Sequence, residues 1–156
     1  MNAETTTGRK GFILFLLAAF VFSCGLLGAS ALLGKSPKLI TGDGPAYYAW
    51  LPTLLIDGDL DFRNNLRDLY SPDPAAGQYV RTPRGTVGTK CPVGMAVLEL
   101  PAFEAGHAAA RLLNAPADGV SMPYQIAVAL WLVVFYLLSL YAFYLALLAC
   151  QVPTPS

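Results

Sequence analysis

The fold is decided by residues 12–33, which read FILFLLAAFVFSCGLLGASALL and contain no charged side chain. A helix of about 22 apolar residues is long enough to cross the hydrocarbon core of a bilayer, which is roughly 30 Å thick. A cleaved signal peptide, with a small-residue site at Ala29-Ser30-Ala31, would have a shorter apolar core of roughly 7–15 residues. A lipoprotein signal ending at Cys24 fits less well, because the apolar run continues past the cysteine. We therefore predict a retained transmembrane helix.

The composition favours an integral membrane protein. Of the 156 residues, 55% are hydrophobic and only 13% are charged, whereas soluble domains carry roughly 25% charged residues. The formal net charge is zero, which gives no electrostatic basis for binding nucleic acid. The three cysteines, Cys24, Cys91 and Cys150, give no disulfide framework, and we interpret them as small buried apolar residues.

A second uncharged stretch predicts a second transmembrane helix over residues 123–150. Two spans place both termini on one side of the membrane, and Arg9 and Lys10 favour the cytoplasm for that side. We expect a multi-pass protein of the plasma (inner) membrane that is mainly α-helical. Its expected parts are a cytoplasmic tail (1–11), a transmembrane helix (12–33), an extracytoplasmic loop (34–122), a second transmembrane helix (123–150) and a short tail (151–156).

The loop begins with residues 41–50, TGDGPAYYAW, directly after the first span. Asp43 can cap a helix whose first turn contains Pro45. The following apolar and aromatic positions recur at helical spacing, and aromatic residues concentrate at membrane interfaces. The pattern predicts a membrane-surface helix over residues 44–57, with a kink at Pro52.

The rest of the loop is less regular. Residues 63–78 are polar and rich in Asn, Asp and Pro, and we interpret them as irregular loop. The turn residues Pro83-Arg84-Gly85 lie between two short strand-like runs, which predicts a hairpin over residues 79–89. A second surface helix is expected over residues 92–113. Two acids and an internal proline in that stretch argue against a full span.

Asp43 is the candidate catalytic residue. A carboxylate at a membrane exit can act as a general base, and the alternative is a purely structural helix cap. Asp57, Asp59 and Asp61 imitate the start of a calcium loop. Such a loop needs glycine at its sixth position, where this chain has Phe62. We therefore interpret the acids as turn residues and expect no metal site.

Arg81, Arg84 and Lys90 form a basic cluster in sequence that can hold a lipid phosphate or be a solvated hairpin. Residues 85–90, GTVGTK, lack the Gly-Lys-Ser/Thr ending of a phosphate-binding loop. His107 has no ligand-spaced partner, and we interpret it as an ordinary surface or packing residue.

The order of these parts resembles the N-terminal region of GT-C integral-membrane glycosyltransferases, including the bacterial protein-mannosyltransferase and aminoarabinose-transferase-like families. The resemblance covers most of the chain, and its ordered set of motifs is moderately specific. The matching residues are Gly42-Asp43 with Tyr47-Tyr48, Leu51-Pro52 with residues 54–60, Lys90-Cys91-Pro92-Val93-Gly94, and residues 123–130.

The resemblance implies a polyprenyl-phosphate sugar as donor and no other cofactor. It implies that Asp43 is the base and that Lys90 lies near the lipid phosphate. Tyr47, Arg81 and Arg84 are the further candidate substrate-binding residues. The chain departs from the family in having Gly44 where members often carry a second acid.

Members of the family have many spans, and this chain has two apolar stretches. We therefore expect an N-terminal fragment that is inactive alone and that requires membrane lipid and further membrane helices from another chain. The alternative is a small two-span membrane protein that acts as a non-catalytic subunit or interaction partner.

Overall fold

The computed structural model describes residues 3–33, 38–70 and 79–150, and the fold is mainly helical. Two helices are long and apolar enough to cross a membrane, with candidate spans at Arg9–Ala29 and Met122–Ala149. The two long helices expected from the apolar stretches are confirmed. In chain order the elements are α1 (Ala3–Leu33), α2 (Gly44–Tyr48), α3 (Trp50–Pro52), a π-helical turn (Thr53–Asp57), α4 (Arg63–Tyr70), β1 (Tyr79–Arg81), β2 (Val87–Thr89), α5 (Gly94–Leu112) and α6 (Met122–Ala149).

The helices α1 and α6 run antiparallel. The Arg9 guanidinium near the start of α1 donates a hydrogen bond of 3.0 Å to the Tyr141 hydroxyl near the end of α6. At the opposite end of the pair, Cys24 of α1 and Ile126 of α6 line the same cavity. The start of α1 therefore lies beside the end of α6.

Residues 44–57, where a helix was expected, form an irregular helical run of α2, α3 and the π-helical turn, with a turn residue at Ala49 between α2 and α3. Its register changes directly after Pro52, which has no N–H to donate to the Tyr48 carbonyl, and the next turn is π-helical. At Pro52, where a kink was expected, the structure shows this change from α-helical to π-helical geometry. Gly58 ends the run in the left-handed conformation (φ 70°), and its N–H bonds the Thr53 carbonyl.

The interpretation of residues 63–78 as irregular loop is wrong for their first half, because residues 63–70 form α4. Leu66 and Leu69 lie on one face and are 1% and 3% exposed. The Asp61 carboxylate caps this helix by accepting a bond of 3.3 Å from the Arg63 N–H. In the sequence, polar residues surround Leu66 and Leu69, so the helical spacing of these two leucines did not indicate a helix. Residues 71–78 lie outside the described residues.

The expected hairpin is present. Strands β1 and β2 pair antiparallel, with Tyr79 opposite Thr89 and Arg81 opposite Val87. The turn that joins them contains Gly85 at φ 82°, a conformation that glycine adopts without strain.

The helix expected over residues 92–113 is α5, and it packs antiparallel along the first half of α6. The Trp131 indole N–H of α6 donates a bond of 2.8 Å to the Leu98 carbonyl. Farther along α5, Gly106 approaches α6 so closely that an added Cβ would lie 2.7 Å from the Tyr124 Cα. From the first contact to the second, the chain advances eight residues along α5 and goes back seven residues along α6. The two helices therefore run antiparallel.

Aromatic rings form the centre of the middle region, which we define as residues 38–70 and 79–121. Phe103 of α5 packs between Tyr48 of α2 and Tyr124 of α6, with ring centroids 6.1 and 5.1 Å apart. The three side chains are at most 1% exposed. The core of the protein therefore lies where α2, α5 and the start of α6 meet.

Candidate functional site

Asp43 lies at the N-cap position of α2 and is exposed. Its carboxylate makes no capping hydrogen bond to the helix. The helix start is held instead by backbone bonds, including one of 3.1 Å from the Ala46 N–H to the Asp43 carbonyl. The alternative that the Asp43 side chain serves as the cap is therefore wrong.

Tyr70 at the end of α4 lies within electrostatic reach of Asp43. Its hydroxyl is enclosed, and among the described residues it makes no hydrogen bond of good geometry. Burial is the main cause that raises the pKa of Tyr70, and the Asp43 carboxylate raises it further. Sequence reasoning missed Tyr70 because it assigned this stretch to irregular loop.

The segment Thr89–Cys91 is fixed against α2 and α3. The Thr89 hydroxyl donates a bond of 2.9 Å to the Ala46 carbonyl. The Trp50 indole N–H donates a bond of 2.9 Å to the Cys91 carbonyl. Lys90 lies between these anchored residues, and its side chain is exposed. The structure thus brings the helix that follows Asp43 together with the segment that carries Lys90.

Tyr47, a further candidate, belongs to α2 and is half-buried. It is a near neighbour of Asp43 in sequence and follows directly on Ala46, the residue that Thr89 contacts. Asp43, Tyr47 and Lys90 therefore belong to one region of the molecule, which we call the α2 site.

The three basic residues of the hairpin do not converge. Arg84 lies in the turn at its closed end, whereas Lys90 follows β2 at its open end. At about 3.4 Å per residue, the strand between them separates the two by on the order of 10 Å. The residue that lies near Arg81 is Arg63 of α4, since both line the same cavities. Nothing in the sequence signalled this pairing, because α4 was not expected.

The acids at residues 57–61 are turn and cap residues, as the sequence indicated. The Asp57 carboxylate accepts bonds from the Asn64 and Asn65 side-chain amides at 2.9 and 2.6 Å. Asp59 accepts the Asp61 N–H at 2.9 Å. These carboxylates fix the connection between the π-helical turn and α4.

Two ionisable residues of α5 face other parts of the protein, with Glu99 buried and His107 half-buried. The His107 ring nitrogen Nδ1 is 2.5 Å from the Tyr124 hydroxyl, which confirms a packing role. Glu99 is 5% exposed, and its Oε2 atom has no hydrogen-bond partner among the described residues. Burial raises the pKa of Glu99 to about 7. Sequence reasoning treated Glu99 as an interruption of an apolar face and missed its burial.

The cysteines differ in their surroundings. Cys91 is buried and Cys24 is half-buried, whereas Cys150 at the end of α6 is exposed. The interpretation of all three as buried is therefore wrong for Cys150, which follows the last residue of α6 and is not covered by other described residues.

No family model, no curated protein and no solved structure matches this chain.

Proposed function

We propose that the chain is part of a membrane glycosyltransferase of the GT-C type that uses a polyprenyl-phosphate sugar. The observation that carries this proposal is the contact between α2 and the segment Thr89–Cys91. It brings the helical run that follows Asp43 together with the segment Lys90-Cys91-Pro92, and Asp43 and that segment belong to two of the motifs that carry the resemblance. They are far apart in sequence.

In the proposed reaction, the Asp43 carboxylate accepts the proton of an acceptor hydroxyl. The acceptor oxygen then forms a bond to the anomeric carbon of the sugar, while the bond from that carbon to the phosphate oxygen breaks. The polyprenyl phosphate leaves with the bonding electron pair, and the Lys90 ammonium stabilises the charge that develops on it. Tyr47 lines the acceptor side.

The proposal includes a topology in which α1 and α6 cross the plasma membrane and the middle region lies outside it. An exposed apolar cavity of about 150 Å³ between α3 and α5 supports contact of this region with lipid. Its lining includes Trp50, Leu54, Leu55, Val93, Val97 and Leu100. In intact cells, a membrane-impermeant thiol reagent should modify Lys90→Cys but not Arg9→Cys, in a chain with its native cysteines replaced by alanine. The reverse pattern would overturn this topology.

Binding of the donor can be tested apart from turnover. The chain, in membranes, is irradiated with a polyprenyl phosphate that carries a benzophenone group. We expect Lys90→Gln to reduce labelling about tenfold, since a charged hydrogen bond is worth roughly 1.5–3 kcal/mol. Arg111→Gln, an exposed cation at the end of α5, is the matched control and should label normally.

Turnover is the second measurement, with the chain co-expressed with the remaining spans of such an enzyme. Asp43→Asn should abolish sugar transfer while leaving photolabelling unchanged, because the base acts on the acceptor. Unchanged transfer would remove Asp43 from the mechanism. Absence of labelling in the unmodified chain would favour the alternative of a non-catalytic membrane subunit.

A further inference from the structure

A second region of the molecule, at the outer side of the hairpin, brings two arginines together around Val87. Arg81 is the partner of Val87 across the β-ladder. On the other side, the Phe62 N–H donates a bond of 2.8 Å to the Val87 carbonyl, and the Val87 N–H donates one of 3.0 Å to the Asp61 carboxylate. The chain then enters α4 at Arg63. Val87 therefore fixes the backbone positions of both arginines.

The two guanidinium groups differ in how they are held. The Arg63 guanidinium donates a bond of 2.8 Å to the Gly85 carbonyl in the hairpin turn. It also lies 3.7 Å from the Asp61 carboxylate, with its side chain 64% exposed. Arg81 is exposed and has no ion pair or side-chain hydrogen bond within residues 38–70 and 79–150. One arginine is thus oriented, and the donors of the other are not bound by any side chain or backbone group in the part of the chain that the structure describes.

The space between these arginines is concave. Two cavities of about 140 and 240 Å³ are both lined by Arg63, Arg81 and Val87. Tyr79 contributes to the first cavity and Gly85 to the second. A planar guanidinium offers a fork of N–H donors that matches the oxygens of phosphate, and two such groups lining one hollow can hold one tetrahedral anion from two sides.

The charge of the region also favours an anion. The pKa of Asp61 is lowered, chiefly by the hydrogen bond from the Val87 backbone, so this carboxylate is ionised at neutral pH. It faces the backbone N–H groups of Val87 and Arg63. Among the described residues, two arginines and no acid line the two cavities, whereas Asp57, Asp59 and Asp61 line a neighbouring cavity on the other side of Arg63.

We propose that the hollow between Arg63 and Arg81, which we call the arginine cleft, binds a phosphate group. The phosphate belongs either to a lipid headgroup or to a free phosphate, because both present the same oxygens. The proposal does not rest on the glycosyltransferase assignment. Arg63 belongs to none of the motifs of that resemblance, and the α2 site is formed by other residues.

The test uses the full chain in detergent micelles and phosphate-free buffer, titrated with inorganic phosphate by calorimetry. Arg81→Gln should weaken binding about tenfold, which corresponds to roughly 1.4 kcal/mol. The Arg81 side chain has no partner in the described structure, so its removal should leave the hairpin folded, as a thermal unfolding scan will check. Arg84→Gln is the matched control, since it removes the same charge from the same hairpin without lining either cavity. It should change the affinity less than about twofold.

A second variant distinguishes an effect on phosphate binding from loss of the fold. Arg63→Lys keeps the charge but removes the planar fork, and it should also weaken phosphate binding. Equal weakening by Arg81→Gln and Arg84→Gln would overturn the proposal, because it would show a diffuse charge effect. No binding of phosphate by the unmodified chain, or normal binding by Arg81→Gln, would overturn it as well.

The source of the phosphate is decided in nanodiscs. If a lipid headgroup occupies the cleft, phosphatidylglycerol should weaken the binding of inorganic phosphate relative to phosphatidylcholine, and Arg81→Gln should remove the difference. If free phosphate is the ligand, its affinity should be the same in both lipids and should still depend on Arg81.

Discussion

The apolar side chains of the paired helices α1 and α6 are mostly exposed, whereas those at the centre of the middle region are buried. None of the α1 span Arg9–Ala29 is buried by other parts of the protein, and large side chains such as Phe22 and Val21 are 68% and 70% exposed. In the middle region, Phe62, Leu66 and Phe103 are at most 2% exposed. The difference teaches that the long helices leave most of their apolar surface exposed, whereas the middle region covers its apolar side chains by its own contacts.

The largest expected effect of this contrast comes from removing a buried ring. Phe103→Ala should destabilise the middle region by about 3–5 kcal/mol, because Phe103 packs against Tyr48 and Tyr124. Phe22→Ala removes the same ring from an exposed position of α1. It should change stability in micelles by less than about 0.5 kcal/mol. Thermal unfolding followed by tryptophan fluorescence measures both, and equal effects would contradict the contrast.

The same difference between a packed and an exposed region can be tested by adding a single methyl group and measuring stability. Gly106→Ala places a Cβ 2.7 Å from the Tyr124 backbone, so α5 and α6 must move apart. We expect a loss of about 1–3 kcal/mol. Gly25→Ala on α1 meets nothing within 4 Å, and it should be neutral or slightly stabilising because alanine favours helices. A neutral Gly106→Ala would show that α5 and α6 are not in close contact.

The smallest effect concerns pH and the buried carboxyl of Glu99. Its pKa in the folded protein is raised from 4.5 to about 7, so between these values the folded state binds a proton that the unfolded state has lost. Stability should therefore fall as pH rises from about 4.5 to 7, and then level off. We expect a change of roughly 1–2 kcal/mol, because local relaxation of the structure around the carboxyl offsets part of the effect of the pKa shift.

Glu99→Gln should remove this pH dependence and make the protein more stable above pH 7. Glu104 lies on the exposed side of the same helix, and Glu104→Gln should leave the dependence intact. Unfolding scans at several pH values test both variants. A persistent slope in Glu99→Gln would assign the dependence to other groups.

The sequence predicts the long helices well because about twenty uncharged residues in a row have few other structures available. The hairpin was also predictable, since Pro83 and Gly85 mark its turn. Helix α4 was not, because its stability comes from the contact of Leu66 and Leu69 with the core and not from helix-forming residues. The arginine cleft and the electrostatic effect of Asp43 on Tyr70 depend on α4, and neither could be expected without it.

The burial of Glu99 shows a different limit. The residue lies on the face of α5 that carries Ala102, Phe103 and Gly106, and only the pairing of α5 with α6 reveals that this face is covered. Helical periodicity in the sequence identifies a face. It does not say which neighbour covers the face.

The most direct test of the account is the distance between the two motifs of the α2 site. Spin labels at Tyr47→Cys and Lys90→Cys, in a chain whose native cysteines are replaced by alanine, can be measured by double electron–electron resonance in nanodiscs. We expect one narrow distribution at short distance, because Thr89 and Cys91 are hydrogen-bonded to α2 and α3. A broad distribution, or a long distance, would show that the loop does not bring Asp43 and Lys90 into one site.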